Sequence, residues 1–181
     1  MALKSTIFKV HVNIADMDRN HFADYSLTLA RHPSETDERL MVRLLAFCIN
    51  ASESLSFTKG LSTEHEPDLW QKDLTDQVEV WVDVGLPSVD RIRKACHQAQ
   101  QVKVYTYGTR TAPVWWDSTH NKVTKFNNLE VYYLPQSQQL GELLERGMHL
   151  HVTIQDNEVW FNADHGDVTL TIDTWMKPEA S

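Results

Sequence analysis

Val78-Glu79-Val80-Trp81-Val82-Asp83-Val84, followed by Gly85-Leu86-Pro87-Ser88, is the stretch on which the fold turns. Side chains alternate across a strand, so Val78, Val80, Val82 and Val84 share one face and Glu79, Trp81 and Asp83 the other. Gly85 and Pro87 break the strand, and Ser88 is placed to cap a helix read from Val89 to about Gln100. Gln101 to Tyr107 then reads as a second strand. Strand, helix and strand in this spacing form a right-handed crossover, which makes the two strands parallel neighbours.

Upstream, Ser5 to Ile14 alternates as a half-buried strand. Asp16 to Asn20 turns the chain, and Phe22 to Arg31 returns as the second arm of a hairpin. His32-Pro33-Ser34 opens a helix with Ser34 as its N-cap and Glu35, Asp37 and Glu38 in the first turn, where the helix dipole favours acids. Leu40, Met41, Leu44, Leu45, Phe47 and Cys48 lie on its broad apolar stripe, which runs to about Ser52 and marks a buried helix. Leu55 to Thr58 reads as a short strand and Gly60 to Pro67 as a polar loop. Downstream come a short helix at Pro113–His120, a strand at Leu129–Leu134 and a helix at Gln136–Arg146. Three closing strands follow, at Met148–Ile154, Glu158–Asn162 and Asp167–Trp175. The expected architecture is one α/β domain over residues 1–181. A mixed central β-sheet is flanked by helices, with an N-terminal β-hairpin and C-terminal antiparallel strands.

Composition narrows the function classes. The 181 residues suffice for one domain with a full core. Hydrophobic residues at 41% and charged residues at 23% are ordinary for a soluble globular protein. No apolar run approaches the ~20 residues of a membrane span. Two cysteines, Cys48 and Cys96, fall on apolar helix faces and read as buried thiols of a reducing, cytoplasmic compartment. The net charge of −8 argues against tight non-specific nucleic-acid binding, which draws its affinity from neutralised phosphates.

The chemistry centres on Glu66-Pro67-Asp68 and on Asp83-Val84-Gly85. Asp68 stands just ahead of a strand. Asp83 stands near the C-terminal end of its strand, where open α/β sheets place their sites. A magnesium or manganese ion takes oxygen ligands and keeps several waters, so two carboxylates suffice to hold it over a phosphodiester. Glu38 in the buried helix is the candidate third acid. A cation beside the attacking water would stabilise the developing charge. Lys94, with Gln98 in support, is the candidate: Arg91, Lys94 and Gln98 lie at helical spacings of three and four and share one side. The plainer alternatives are turn-forming aspartates at Asp68 and Asp83, a first-turn acid at Glu38, and a solvated helix edge at Arg91, Lys94 and Gln98. His149 and His151 share a strand face, but with no metal motif around them they read as exposed strand residues. The tryptophans, Trp115-Trp116 included, read as core and rim residues.

Met1-Ala2-Leu3-Lys4-Ser5-Thr6-Ile7, Leu27 to Thr36, Phe57-Thr58-Lys59-Gly60-Leu61-Ser62, Gly85-Leu86-Pro87, Lys94-Ala95-Cys96 and Thr153-Ile154-Gln155-Asp156 carry a resemblance to the bacterial YaeQ family over the whole chain. The resemblance implies a fold similar to the restriction endonucleases, the PD-(D/E)XK group, in a form with an altered motif. Asp68 then looks like the group's first acid, Asp83 like its second and Glu38 like its helix glutamate. Gly85 stands where the group has a lysine. Some members of that group are similar in having moved the cation to the following helix, the role assigned to Lys94. Three functions remain in view: a magnesium- or manganese-dependent nuclease acting on DNA, a binding or regulatory protein that kept the fold without the chemistry, and a protein-interaction module or homodimer.

Overall fold

Among the described residues, eleven strands divide between two sheets, where one central sheet is expected. The structure, a computed structural model, describes residues 4–58 and 65–178. Most of the Gly60–Pro67 loop, and the parts of the family-like segments at residues 1–3 and 59–62, lie outside the described residues.

The hairpin forms as expected, from β1 (Thr6–Asp16) and β2 (His21–Arg31), in unbroken antiparallel register from Thr6↔Arg31 to Asp16↔His21. Helix α1 (Asp37–Asn50) follows. Its N-cap is Thr36, whose side chain accepts the Arg39 N–H, in place of the expected Ser34. Ser34 is instead held by the His32 ring. Next come β3 (Leu55–Phe57), β4 (Leu69–Lys72), β5 (Val78–Val84), α2 (Val89–Gln98), β6 (Ala99–Tyr107), α3 (Thr111–Val123) and β7 (Leu129–Leu134). Helix α4 (Ser137–Gly141) is one short turn-rich piece rather than a helix to Arg146. The chain closes with β8 (Gly147–Gln155), β9 (Glu158–Ala163), β10 (Gly166–Thr171) and β11 (Asp173–Met176). The expected single last strand is thus broken at Ile172, and its halves join different sheets.

The first sheet has the order β10-β9-β8-β1-β2 and the second β11-β7-β6-β5-β4-β3. In the second, β5 and β6 are parallel neighbours across α2, as the crossover rule requires, and β6 and β7 repeat the unit across α3. One continuous core joins both sheets around α1. It takes Val10, Val12 and Ile14 from β1, Val82 and Val84 from β5, and Val152 and Ile154 from β8. From Leu40 to Cys48 every residue of α1 is buried, Arg43 included. A helix covered on all sides must be apolar nearly all round, which explains the breadth of its stripe. The opposite face of the second sheet packs Trp81, Val102, Val104 and Val131 against α2 and α3. From Val80 on, the alternation read from β5 sorts its side chains between two cores, with Trp81 and Asp83 on the α2 side; Val78, expected to share the other valines' face, packs instead against the second core. Cys48 and Cys96 are both free and buried; burial lifts the Cys48 thiol to about 12 and the Cys96 thiol to about 11. No described helix is long and apolar enough to cross a membrane.

Candidate functional site

The two motif acids sit at the C-terminal end of β5, and both are buried. Asp68 is held by its backbone first. Its N–H donates to Val82 O at 3.0 Å, and its carbonyl accepts the Thr58 N–H at 3.2 Å. Both oxygens of its side chain are then engaged. Oδ2 accepts the Val84 N–H at 2.8 Å, and Oδ1 accepts Arg39 Nη2 at 2.9 Å. Arg39 projects from α1 and also donates to Glu35 Oε2 at 2.7 Å, while Arg43, one turn on, forks onto the same glutamate at 2.7 and 2.9 Å. The result is an alternating chain, Arg43–Glu35–Arg39–Asp68, that ties α1 to the strand ends. Burial by itself pulls Arg39 down, but the charges and hydrogen bonds of Asp68 and Glu35 outweigh it and leave the guanidinium more basic than usual.

Asp83 has its own arginine. Arg91 Nε and Nη2 reach its two carboxylate oxygens at 2.9 and 3.0 Å, a bidentate fork. Arg91 Nη2 also donates to Glu66 O at 2.9 Å. The local sequence sets this up. Gly85 turns the chain at φ +110°, a conformation that favours glycine, and Ser88 Oγ accepts the Arg91 N–H as the N-cap of α2. Arg91 thereby enters the first turn directly over the end of β5. Burial pushes the Asp83 carboxyl up, Arg91 draws it back, and the Asp68 charge pushes it up again; the net shift is upward. Trp81, two residues earlier on the same face, has a buried indole N–H near this carboxylate without a well-formed hydrogen bond.

Lys94 and Gln98 do line a cavity of about 510 Å³ beside Arg91, together with His65, Trp81 and Ser88. The Lys94 ammonium, however, pairs with Asp90 Oδ2 on its own helix at 3.0 Å, and its side chain is 66% exposed. The cation that reaches Asp83 is Arg91, which sequence reasoning had placed on the helix edge with Lys94. A closer signal was available: Arg91 stands three residues after the N-cap, and Lys94 one further turn away from the strand end. Glu38 does not join the acids. Its Oε1 accepts the Ser137 hydroxyl at 2.9 Å, and it lines a separate cavity of about 530 Å³ with Gly108, Arg110 and Thr111.

A divalent metal fits this donor set poorly. The oxygens of Asp68 and Asp83 already accept arginine or backbone N–H groups, and no group of three or more acid, histidine or cysteine side chains is arranged for a metal among the described residues. His149 does meet a partner that the linear pattern hid: His11, opposite it in the β1–β8 register, with ring centroids 5.7 Å apart. Trp115 and Trp116 are packed, as expected: Trp116 stacks on Trp175, and Trp115 donates to Pro87 O at 2.9 Å.

Fold and site together define a mixed α/β protein in which helices flank two sheets and arginines neutralise the acids at the end of the parallel strands. The chain belongs to the YaeQ family: the family model described as YaeQ protein matches residues 1–172. It is 46% identical over 180 residues to the uncharacterized protein YaeQ of Salmonella typhi, covering 98% of this chain and 99% of that one. The crystal structure of YaeQ protein from Xanthomonas axonopodis pv. citri superposes with a TM-score of 0.94 at 46% identity, over 96% of this chain and 99% of that one. That of YaeQ protein from Pseudomonas syringae gives 0.89 at 32% identity, over 95% and 96%.

Proposed function

We propose that this chain is a binding or regulatory protein that retains a restriction-endonuclease-like strand and helix arrangement without metal-dependent cleavage. One observation carries the reading: each acid of the altered motif is neutralised by its own arginine, Asp68 by Arg39 and Asp83 by Arg91. A magnesium or manganese ion would have to displace both guanidiniums and give up hydration water to carboxylates whose charge is already compensated. Gly85 leaves the motif lysine's place without a side chain, and Lys94 is held outward by Asp90. The net charge of −8 favours a protein partner over nucleic acid.

The test is calorimetric titration of manganese into the protein and its Asp83→Ala variant, with single- and double-stranded DNA incubated in magnesium alongside. The expected result is no binding heat in either protein and no cleavage. Manganese binding that vanishes in Asp83→Ala, accompanied by metal-dependent cleavage, would overturn the proposal and restore the nuclease, with Asp68 and Asp83 as ligands.

A further inference from the structure

The two sheets end side by side. Strand β2 is the last strand of one and β3 the last of the other, and a groove of about 610 Å³ runs between them. Its floor is aromatic: Tyr25 meets Phe47 edge-on at 5.3 Å, and Phe47 stacks on Phe57 at 5.4 Å. Leu27 and Leu55 add to the apolar lining and Glu53 lines the same groove, while the Asp24 carboxylate lies on the outer face of β2, where it accepts Asn13 Nδ2 at 2.7 Å.

Backbone parity shows what the β2 edge offers. The Lys9 N–H donates to Arg146 O, and the Met17 N–H to Ile154 O, so the odd residues of β1 face β8. The even residues Phe8, Val10, Val12 and Ile14 must then bond β2, through their partners Leu29, Leu27, Tyr25 and Ala23. Phe22, Asp24, Ser26, Thr28 and Ala30 therefore turn their N–H and C=O groups outward. The Arg43 guanidinium takes the Ala30 carbonyl at 3.0 Å, in agreement with this parity. From Phe22 to Thr28 the edge has no backbone partner among the described residues.

Proteins protect such edges with proline, charged side chains (lysine above all) or a bulge. His21-Phe22-Ala23-Asp24-Tyr25-Ser26-Leu27-Thr28-Leu29-Ala30-Arg31 has no proline and no lysine, and its register with β1 is unbroken. Its one mid-strand charge, Asp24, is held by Asn13 on the outer face. An edge so lightly guarded beside an apolar groove is the geometry of strand addition, in which main-chain hydrogen bonds give affinity and alternate side chains enter the groove.

We infer that β2 is a docking rail for an extended, basic segment of a partner protein, which adds as a sixth strand to the first sheet and seats alternate apolar side chains against Tyr25, Leu27 and Phe57. This names the surface and the partner class for the binding function proposed above, and rests on that reading. The charge argument selects the occupant. Asp24 on the outer face of β2, Glu53 in the groove and the net charge of −8 attract lysine and arginine at alternate positions of an added strand, whereas a second copy would bring another −8 to the same edge.

The experiment is selection of a displayed library of random peptides, each about ten residues long, on the immobilised protein. It is repeated on Ser26→Pro, which deletes one outward N–H and leaves the β1 ladder intact. The expected peptides alternate apolar and basic residues and lose on the order of tenfold in affinity on Ser26→Pro, the scale of one or two backbone hydrogen bonds. Amide exchange on the unmutated protein gives a readout that does not depend on the variant folding. Bound peptide slows Asp24, Ser26 and Thr28, while Tyr25 and Leu27, already bonded to β1, do not change. No enrichment, or enriched peptides that leave the Asp24, Ser26 and Thr28 amides unprotected, would overturn the inference. So would self-association that protects those amides without peptide. None of these outcomes bears on the manganese titration, which reads Asp68 and Asp83.

Discussion

Replacing Arg91 with alanine leaves Asp83 buried without its bidentate partner. The Asp83 side chain is 4% exposed and that of Arg91 28%. Breaking a fully buried pair costs about 3–5 kcal/mol. The solvent access of Arg91 screens part of that, so we expect a loss of about 2–3 kcal/mol near neutral pH. At a urea slope of about 2 kcal/mol per molar, the unfolding midpoint falls by about 1–1.5 M. The pH dependence identifies the cause. Burial already holds the Asp83 carboxyl above its ordinary value, and Arg91 opposes that shift. Without Arg91 it rises further, so the folded variant holds this proton more tightly than the unfolded chain does. A group raised in the folded state adds stability as pH falls through its folded pKa. The gap between variant and parent should therefore narrow as the buffer is taken from neutrality toward the carboxylate range. Adding Asp83→Asn to Arg91→Ala should recover about half of the loss at neutral pH. A deficit below about 0.5 kcal/mol, or one that stays constant with pH, would refute the view that Arg91 exists to neutralise Asp83.

Glu35→Gln should cost about 2–4 kcal/mol by thermal or urea unfolding, because the 6% exposed Glu35 holds both Arg39 and Arg43. Gly85→Lys should destabilise by about 1–2 kcal/mol and produce no metal-dependent cleavage. A Cβ at Gly85 meets nothing within 4 Å, so the strain comes from φ +110° alone. Thr36→Ala should cost about 1 kcal/mol through loss of the α1 N-cap, whereas Ser34→Ala should cost far less, a contrast that equilibrium unfolding of the two variants resolves. Cys48, with its thiol pushed up to about 12 by burial, should resist alkylation near pH 8 until the protein is unfolded, as timed labelling with and without denaturant would show.

Local periodicity was enough for the hairpin β1–β2, the buried helix α1 and the parallel unit β5–α2–β6. The period-2 valines of Val78–Val84, the cap at Ser88 and the apolar run Leu40–Cys48 each specify their element from neighbours a few residues away. The cap of α1 was misplaced because Ser34 and Thr36 satisfy the same rule, and only the chain path selects the one that meets the Arg39 N–H. Residues 167–175 read as one strand because periodicity carries no information about which sheet a residue joins. Ile172 sits between the two, and its N–H is taken by Asn157 O.

The site divides along the same line. Asp68 and Asp83 were legible as paired acids at a strand end, since their places follow from the order of elements. Their neutralisation was not. It depends on Arg39 reaching across from a helix 29 residues away in sequence, and on the rotation of α2 that aims Arg91 and not Lys94 at Asp83. The bare β2 edge is likewise a property of sheet order, set by β8 pairing in parallel with the other side of β1. The sequence alone determined which residues are apolar, which are charged and what each short segment becomes. The tertiary structure decided which charges face one another, because ion-pair geometry depends on helix rotation and chain path, which are fixed only when distant segments pack into one core.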